Sequence, residues 1–64
     1  MKRRDQITLV AAYLHAAYLQ GVQHETEALS KEKVLHQWGT LRRRRAKSAW
    51  LRDAEALLRE AGVL

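Results

Sequence analysis

Residues 6–23, QITLVAAYLHAAYLQGVQ, contain no Asp, Glu, Lys or Arg, in a chain of which 30% of the residues are charged. Wound at about 100° per residue, this stretch places apolar side chains on two separate faces of a helix. One face carries Ile7, Val10, Ala11, Leu14, Tyr18 and Val22, and the other carries Leu9, Tyr13 and Ala16. A chain of 64 residues has little left to cover both faces, so we expect the second face to contact another copy or a target.

The composition favours a single all-α domain over residues 1–64. The sequence has no proline and only three glycines, whereas strong helix formers such as Ala, Leu, Glu and Arg are abundant. It has no cysteine, so disulfides and thiolate–metal sites are excluded as supports for the core. A core of this size contributes only about 3–5 kcal/mol to stability, and oligomerisation is the expected additional support.

Capping signals predict where the first helix begins and where the chain turns. We expect this helix over residues 5–28, with Asp5 as its N-cap. Gly21 fits either an interior position or the end of the helix. Ser30 is a stronger N-cap signal, preceded by an apolar residue that can form a hydrophobic staple, so residues 29–30 are the expected turn.

The second helix is expected over residues 31–61. Gly62 should close it in a Schellman motif, with Val63 meeting Leu58. Because the turn is so short, the predicted fold is an antiparallel two-helix hairpin. Two copies would form a homodimer with a four-helix core.

The apolar stripe of the second helix changes phase partway along. Val34, Trp38 and Leu41 define one stripe, whereas Trp50, Ala54, Leu57 and Ala61 define another, rotated by about 120–180°. Two explanations fit. Either the helix breaks at residues 39–40, with Thr40 as a new N-cap, or one straight helix packs its two halves against different surfaces.

No constellation of residues indicates catalysis, and we expect a non-enzymatic protein without a cofactor. The only candidate metal ligands outside carboxylates are His15, His24 and His36, whose separations of nine and twelve residues match no helical ligand pair. No metal site is therefore expected. His15, beside Ala12 and Leu19, is expected to be a partly buried interface histidine.

The N-terminal region predicts neither a secretion signal nor a membrane span. Residues 1–6, MKRRDQ, are basic and precede an apolar stretch, as in a bacterial signal peptide. However, Tyr13, His15 and Tyr18 interrupt that stretch. Its strongly apolar part, residues 7–19, is shorter than the roughly 20 residues that cross a bilayer. We expect a cytoplasmic protein that does not enter a membrane.

The formal net charge of +5 is concentrated in residues 42–47. This basic cluster consists of Arg42, Arg43, Arg44, Arg45 and Lys47, and the rest of the chain has as many acidic as basic residues. It could contact nucleic-acid phosphates, dock on an acidic protein surface, or be a solvated helix face. Because four consecutive helical residues radiate over about 300°, at least one arginine stem should lie along helix 1, near Tyr13 or Tyr18.

The four aromatic residues divide into core and interface candidates. Trp38 and Tyr18 lie on the main stripes of their helices and are expected in the core. Tyr13 belongs to the second face of helix 1 and is the preferred interface anchor, followed by Trp50.

The residues around Gly39 do not favour a DNA-binding helix-turn-helix. The outline around Gly39 is suggestive, but Leu35 stands where that motif usually has Ala. Arg45 stands where the recognition helix normally has an apolar residue that packs on the core.

Two functional hypotheses follow. The first is a small regulatory protein that docks on a target protein whose surface is acidic. The residues predicted to make this contact are Leu9, Tyr13, Arg42, Arg43, Arg45 and Trp50. The alternative is a regulator that binds DNA or RNA through Arg42, Arg43, Arg44, Arg45 and Lys47. In size and shape alone, such a hairpin is similar to plasmid and bacteriophage accessory proteins, some of which bind RNA and some of which inhibit a host regulator or motor.

Overall fold

The computed structural model describes residues 2–64 and is all-helical over that range. Helix α1 spans Arg3–Gln23, α2 spans Lys31–Thr40 and α3 spans Arg44–Glu60. The sequence predicted two helices, and the chain forms three because the predicted second helix is interrupted.

Helix α1 begins at Arg3, slightly before the predicted start at Asp5. Lys2 occupies the N-cap position and provides no side-chain hydrogen bond. Asp5 is instead inside the first turn, where its carboxylate interacts favourably with the positive end of the helix dipole.

The end of α1 at Gln23 is formed by a Schellman motif centred on a histidine. His24 has a left-handed backbone, with φ 55°. Its N–H donates to the Gly21 carbonyl at 3.4 Å, and the N–H of Glu25 donates to the Gln20 carbonyl at 3.0 Å. Gly21 is therefore an interior helical residue, and the left-handed position is three residues further along the chain.

The predicted continuation of α1 to residue 28 is wrong, because the chain turns back in an irregular loop. The loop is held by polar contacts. The Gln20 side-chain amide donates to the Glu27 carbonyl. The Lys33 ammonium lies 3.4 Å from the Glu25 carboxylate and 3.7 Å from that of Glu27.

Ser30 is the N-cap of α2, as the sequence predicted. Its Oγ accepts a hydrogen bond from the Lys33 N–H at 3.2 Å. Leu29 is half-buried against the core and Val34 is fully buried, which agrees with the predicted hydrophobic staple.

The predicted second helix breaks after Thr40, and α3 begins at Arg44. Leu41 is extended, with ψ 104°. The sequence placed a possible break at residues 39–40 with Thr40 as a new N-cap. Thr40 is instead the last residue of α2, where its hydroxyl donates to the Gln37 carbonyl at 2.7 Å.

The C-terminal end of α3 confirms the Schellman motif predicted from the sequence. Gly62 has φ 79°, and its N–H donates to the Arg59 carbonyl at 3.1 Å. The N–H of Val63 donates to the Leu58 carbonyl at 3.0 Å.

Helix α1 is the centre of the fold. Within the described residues, α2 and α3 both pack on α1, and no backbone contact joins α2 to α3. The buried apolar core consists of Ala11, Ala12 and Ala16 of α1 with Val34, Trp38 and Ala54. The alanines of α1 allow both neighbours to approach closely. Because Tyr18 meets Trp50 whereas Arg3 lines a groove with Glu55, α3 runs opposite to α1.

The coverage of the two apolar faces of α1 differs from what the sequence predicted. The second face was expected to be open, whereas part of the first face is. Leu9 and Tyr13 are half-buried within the same chain, because the break lets α2 and α3 pack on different parts of α1. Tyr18, expected in the core, is 57% exposed, and Val22 is 59% exposed. On α1, the exposed large apolar side chains lie in the C-terminal half of the helix.

Candidate functional site

The four arginines of the basic cluster are all exposed. Arg42 and Arg43 lie in the extended connection between α2 and α3, and Arg44 and Arg45 begin α3. The helix break places these consecutive residues at a corner of the molecule, where their side chains meet solvent.

The expected packing of an arginine stem along helix 1 is wrong. The reason is that Arg42 and Arg43 are not helical, so the side chains do not radiate around one helix axis. The cation–π contact expected with Tyr13 or Tyr18 is made by a different pair. The Nζ of Lys47 lies 5.3 Å from the centroid of the Trp38 ring, and Lys47 is half-buried there.

The start of α3 combines positive side chains with a poorly capped helix end. Arg43 occupies the N-cap position without a side-chain hydrogen bond, and the first turn has no acidic residue. Positive charge at a helix N-terminus opposes the helix dipole, and the first backbone N–H groups have no partner within the helix. This end of α3 is thus electrostatically suited to an anion.

No carboxylate compensates the arginine corner. In the part of the chain that the structure describes, the ion pairs join Lys33 to Glu25 and Glu27, and Arg59 to Glu55 at 2.6 Å. None involves residues 42–45. The positive charge of the corner is therefore free to attract a polyanion.

The basic surface extends beyond the cluster recognised in the sequence. An open groove of about 630 Å³ between α1 and α3 is lined by Arg3, Arg4, Ile7, Thr8, Ser48, Leu51, Arg52 and Glu55. Arg3, Arg4 and Arg52 add positive charge along the side of α3. Arg52 could have been found from its seven-residue spacing from Arg45, which places both on one helix face. Only the packing of α1 against α3 brings in Arg3 and Arg4.

The predicted protein-docking residues differ in exposure: Arg42, Arg43 and Arg45 are exposed, whereas Leu9 and Tyr13 are half-buried. Tyr13 packs against the core of the single chain. Trp50 is half-buried, and its ring centroid lies 5.6 Å from that of exposed Tyr18. With Val22 one helical turn beyond Tyr18, these residues form an apolar patch that we call the α1 patch: Tyr18, Val22 and Trp50.

His15 is buried where the three helices meet. Its ring centroid lies 6.1 Å from that of Trp38 and 5.8 Å from that of Trp50, both edge-on. Burial lowers the pKa of His15 below its usual value by desolvating the charged form, and Nδ1 has no hydrogen-bond partner. His15 is thus a core residue of this chain rather than the partly buried interface histidine that the sequence predicted.

The described residues were expected to hold neither a metal site nor a membrane span. No group of three or more His, Asp or Glu side chains suited to a metal ion was found among residues 2–64. Across the same residues, no helix has the length and apolar character needed to cross a membrane. The cytoplasmic location stays a prediction.

Comparison of the chain with protein-family models, with curated proteins and with solved structures found no match.

Proposed function

We propose that this is a small non-enzymatic regulatory protein that binds nucleic acid through the arginine corner, Arg42, Arg43, Arg44 and Arg45. The observation that carries the proposal is the exposure of all four arginines, without acidic partners, at the start of α3. Arginine forks pair with phosphate oxygens, and unpartnered N–H groups at a helix start add donors for the same ligand. Phosphate contacts of this kind supply most non-specific nucleic-acid affinity.

The placement of the other predicted residues favours nucleic-acid binding over docking on a protein. Docking on a protein was favoured because Leu9 and Tyr13 were expected on an uncovered face. Both are half-buried in the single chain, whereas the arginines are more open than expected. The basic surface also gains Arg3 and Arg52.

We further propose that the protein acts as a homodimer, in which the α1 patch of one copy contacts that of a second. Tyr18 and Val22 are each more than half exposed and lie one turn apart on α1. The core of a single copy is small, and burial of this patch would add apolar contact. A two-fold dimer carries two arginine corners, and the paired α1 helices would form the centre of a helical bundle.

A titration at two salt concentrations tests nucleic-acid binding. Fluorescence anisotropy with a mixed-sequence DNA duplex and a structured RNA should show submicromolar binding at low salt that weakens steeply when salt is raised. The Arg42→Gln/Arg43→Gln double variant should reduce the slope of log K against log salt by about 2, because each lost phosphate contact releases about one counterion fewer.

The matched control removes the same charge elsewhere. Lys31→Gln/Lys33→Gln lies on α2, away from the arginine corner, and should retain the slope of the unaltered protein. If neither DNA nor RNA binds at low salt, or if both double variants weaken binding equally, the proposed role of the arginine corner is wrong.

The second candidate function is docking on a target protein with an acidic surface, of the kind shown by phage- or plasmid-encoded inhibitors of host factors. It is favoured by the α1 patch, since exposed aromatic side chains such as Tyr18 are common anchors of protein interfaces. Tyr13→Ala tests the predicted anchor in this case. A variant that stays folded but loses its target supports docking, whereas an unfolded variant assigns Tyr13 to the core.

A further inference from the structure

The outward face of α3 has a regular composition. Arg45, Ala49, Arg52 and Ala56 fall within an arc of about 60° around the helix axis and are all exposed. The opposite arc holds Ala54 and Leu58, which face α1 and are buried. We call the first set the α3 stripe. Large side chains are absent from it apart from the two arginines.

The dimensions of the α3 stripe suit a nucleic-acid groove. Arg45 and Arg52 are seven residues apart, or about 10.5 Å along the helix axis. Three base-pair steps of B-form DNA rise by about 10 Å. Ala49 lies between them and adds little bulk, so the helix axis can come close to the floor of a groove about 12 Å wide.

Basic residues flank the stripe on its α1 side and precede it at its N-terminal end, whereas exposed Asp53 and Glu60 lie along its other side. Arg3 and Arg4 of α1 line the groove beside Arg52, along one side of α3. Arg42 and Arg43 precede the helix at its N-terminal end. Phosphate contacts from the α1 side and from the N-terminal end of α3 would fix the orientation of the helix on the duplex.

We propose that α3 enters the major groove of double-stranded B-form DNA, with Arg45 and Arg52 directed at base edges. This inference depends on the proposed nucleic-acid function and specifies its substrate. Arginine forks pair with the O6 and N7 acceptors of guanine, and alanine can contact a thymine methyl group. The arrangement is not a helix-turn-helix, because α2 and α3 lie against α1 and do not contact each other through their backbones.

The geometry favours DNA over duplex RNA. The major groove of A-form RNA is deep and too narrow for a helix, so a protein that inserts α3 should discriminate strongly between the two duplexes. A protein that uses the arginine corner only to attract phosphates should bind the DNA and RNA duplexes about equally.

The experiment compares three duplexes of the same sequence at low salt with the full chain. They are plain DNA, DNA whose cytosines carry glucosylated hydroxymethyl groups that fill the major groove, and RNA. We expect the plain duplex to bind at least about tenfold more tightly than either of the others.

A paired substitution tests close approach of the helix. Ala49→Leu adds bulk in the middle of the α3 stripe and should weaken binding to plain DNA by about tenfold. Ala17→Leu makes the same change at an exposed position of α1 and should leave binding unchanged. Circular dichroism should show both variants to be as helical as the parent.

The outcomes separate the two levels of the proposal. Equal binding of all three duplexes, or an Ala49→Leu variant that binds like the parent, overturns insertion into the major groove while leaving nucleic-acid binding in place. Failure to bind DNA or RNA of any kind overturns both.

Discussion

The imidazole of His15 lies edge-on to the indole of Trp50, with ring centroids 5.8 Å apart and an interplanar angle of 67°. The indole of Trp38 meets the same imidazole on another side, at 6.1 Å. One ring comes from each helix, so this cluster joins α1, α2 and α3. Since α2 and α3 have no backbone contact with each other, His15 is a main link between them.

The position of His15 makes stability depend on pH. Its pKa is lowered in the folded state by desolvation, so the unfolded chain binds more protons near and below the ordinary value of about 6.5. Stability is therefore full above pH 6.5 and falls as the pH drops toward the folded pKa. Urea unfolding at pH 8 to 5 should show this decline.

Substitution of His15 should remove that pH dependence. His15→Leu keeps an apolar side chain between the two indoles and has no group to protonate, so its stability should stay level from pH 7 to 5. The control is His36→Gln, an exposed change on α2 that should leave the decline intact. A His15→Leu variant with an unchanged decline would assign the pH effect to other groups.

The helix end at His24 should gain stability from glycine. A non-glycine residue in the left-handed region is strained, and His24 has φ 55°. His24→Gly should raise the free energy of unfolding by up to about 1 kcal/mol, less the entropy that glycine adds to the unfolded chain. Gly62→Ala makes the reverse change at φ 79° and should lower it by about 1 kcal/mol. Effects of the same sign at both sites would contradict this explanation.

The start of α3 should be easy to stabilise at the expense of binding. Arg43→Asp supplies the missing N-cap acceptor and a favourable charge at the helix dipole, and should add about 1 kcal/mol to the free energy of unfolding. The same change removes one proposed phosphate contact and introduces a charge that repels phosphate. The melting temperature of the variant should therefore rise while its affinity for DNA falls, and thermal melts and DNA titrations of one sample measure both.

The N-cap of α2 provides the comparison. Ser30→Ala should cost about 1 kcal/mol of stability because the Lys33 N–H loses its acceptor, without any change in DNA affinity. If Arg43→Asp leaves affinity for DNA intact, the arginine corner is a solvated surface without a binding role.

Assembly should depend on the α1 patch. Val22→Lys places a charge in the proposed contact. The helix itself should tolerate the change, because a positive charge near the C-terminal end of α1 interacts favourably with the helix dipole. Sedimentation equilibrium should show a dimer for the parent at micromolar concentration and a monomer for this variant. Leu35→Lys, on α2 at a side chain that is 42% exposed, should remain dimeric. A well-folded monomeric parent would overturn the proposed dimer.

Local signals in the sequence determined the helical class and two helix ends. Ser30 accepts from the N–H three residues later, and Gly62 adopts the left-handed backbone needed for the Schellman motif. Both interactions involve residues within one turn of each other, so their energetics are contained in a short segment. The phase change between the stripes of Trp38 and Trp50 was compatible with a break at residues 39–40 and equally with one straight helix, and the structure has a break after Thr40.

The candidate site was only partly predictable. The run of arginines at residues 42–45 was evident from the sequence, but the exposure of all four depended on the break after Thr40. Arg3 and Arg4 are nearly fifty residues from Arg52 in the sequence and meet it only because α3 runs back along α1. Their contribution to the basic surface required the tertiary arrangement.

The sequence by itself determined that this chain is helical, where it is positively charged, and two of its helix ends, the N-cap at Ser30 and the Schellman motif at Gly62. Only the tertiary structure decided that Tyr13 is covered and Tyr18 is open, since helix periodicity fixes angular position but not which neighbour fills each side. Alanines along α1 allow α2 and α3 to approach from different directions once the chain bends at residues 41–43. Which side chains of α1 are buried then depends on how closely α2 and α3 pack against it. That distance is set by contacts between segments that are far apart in the sequence.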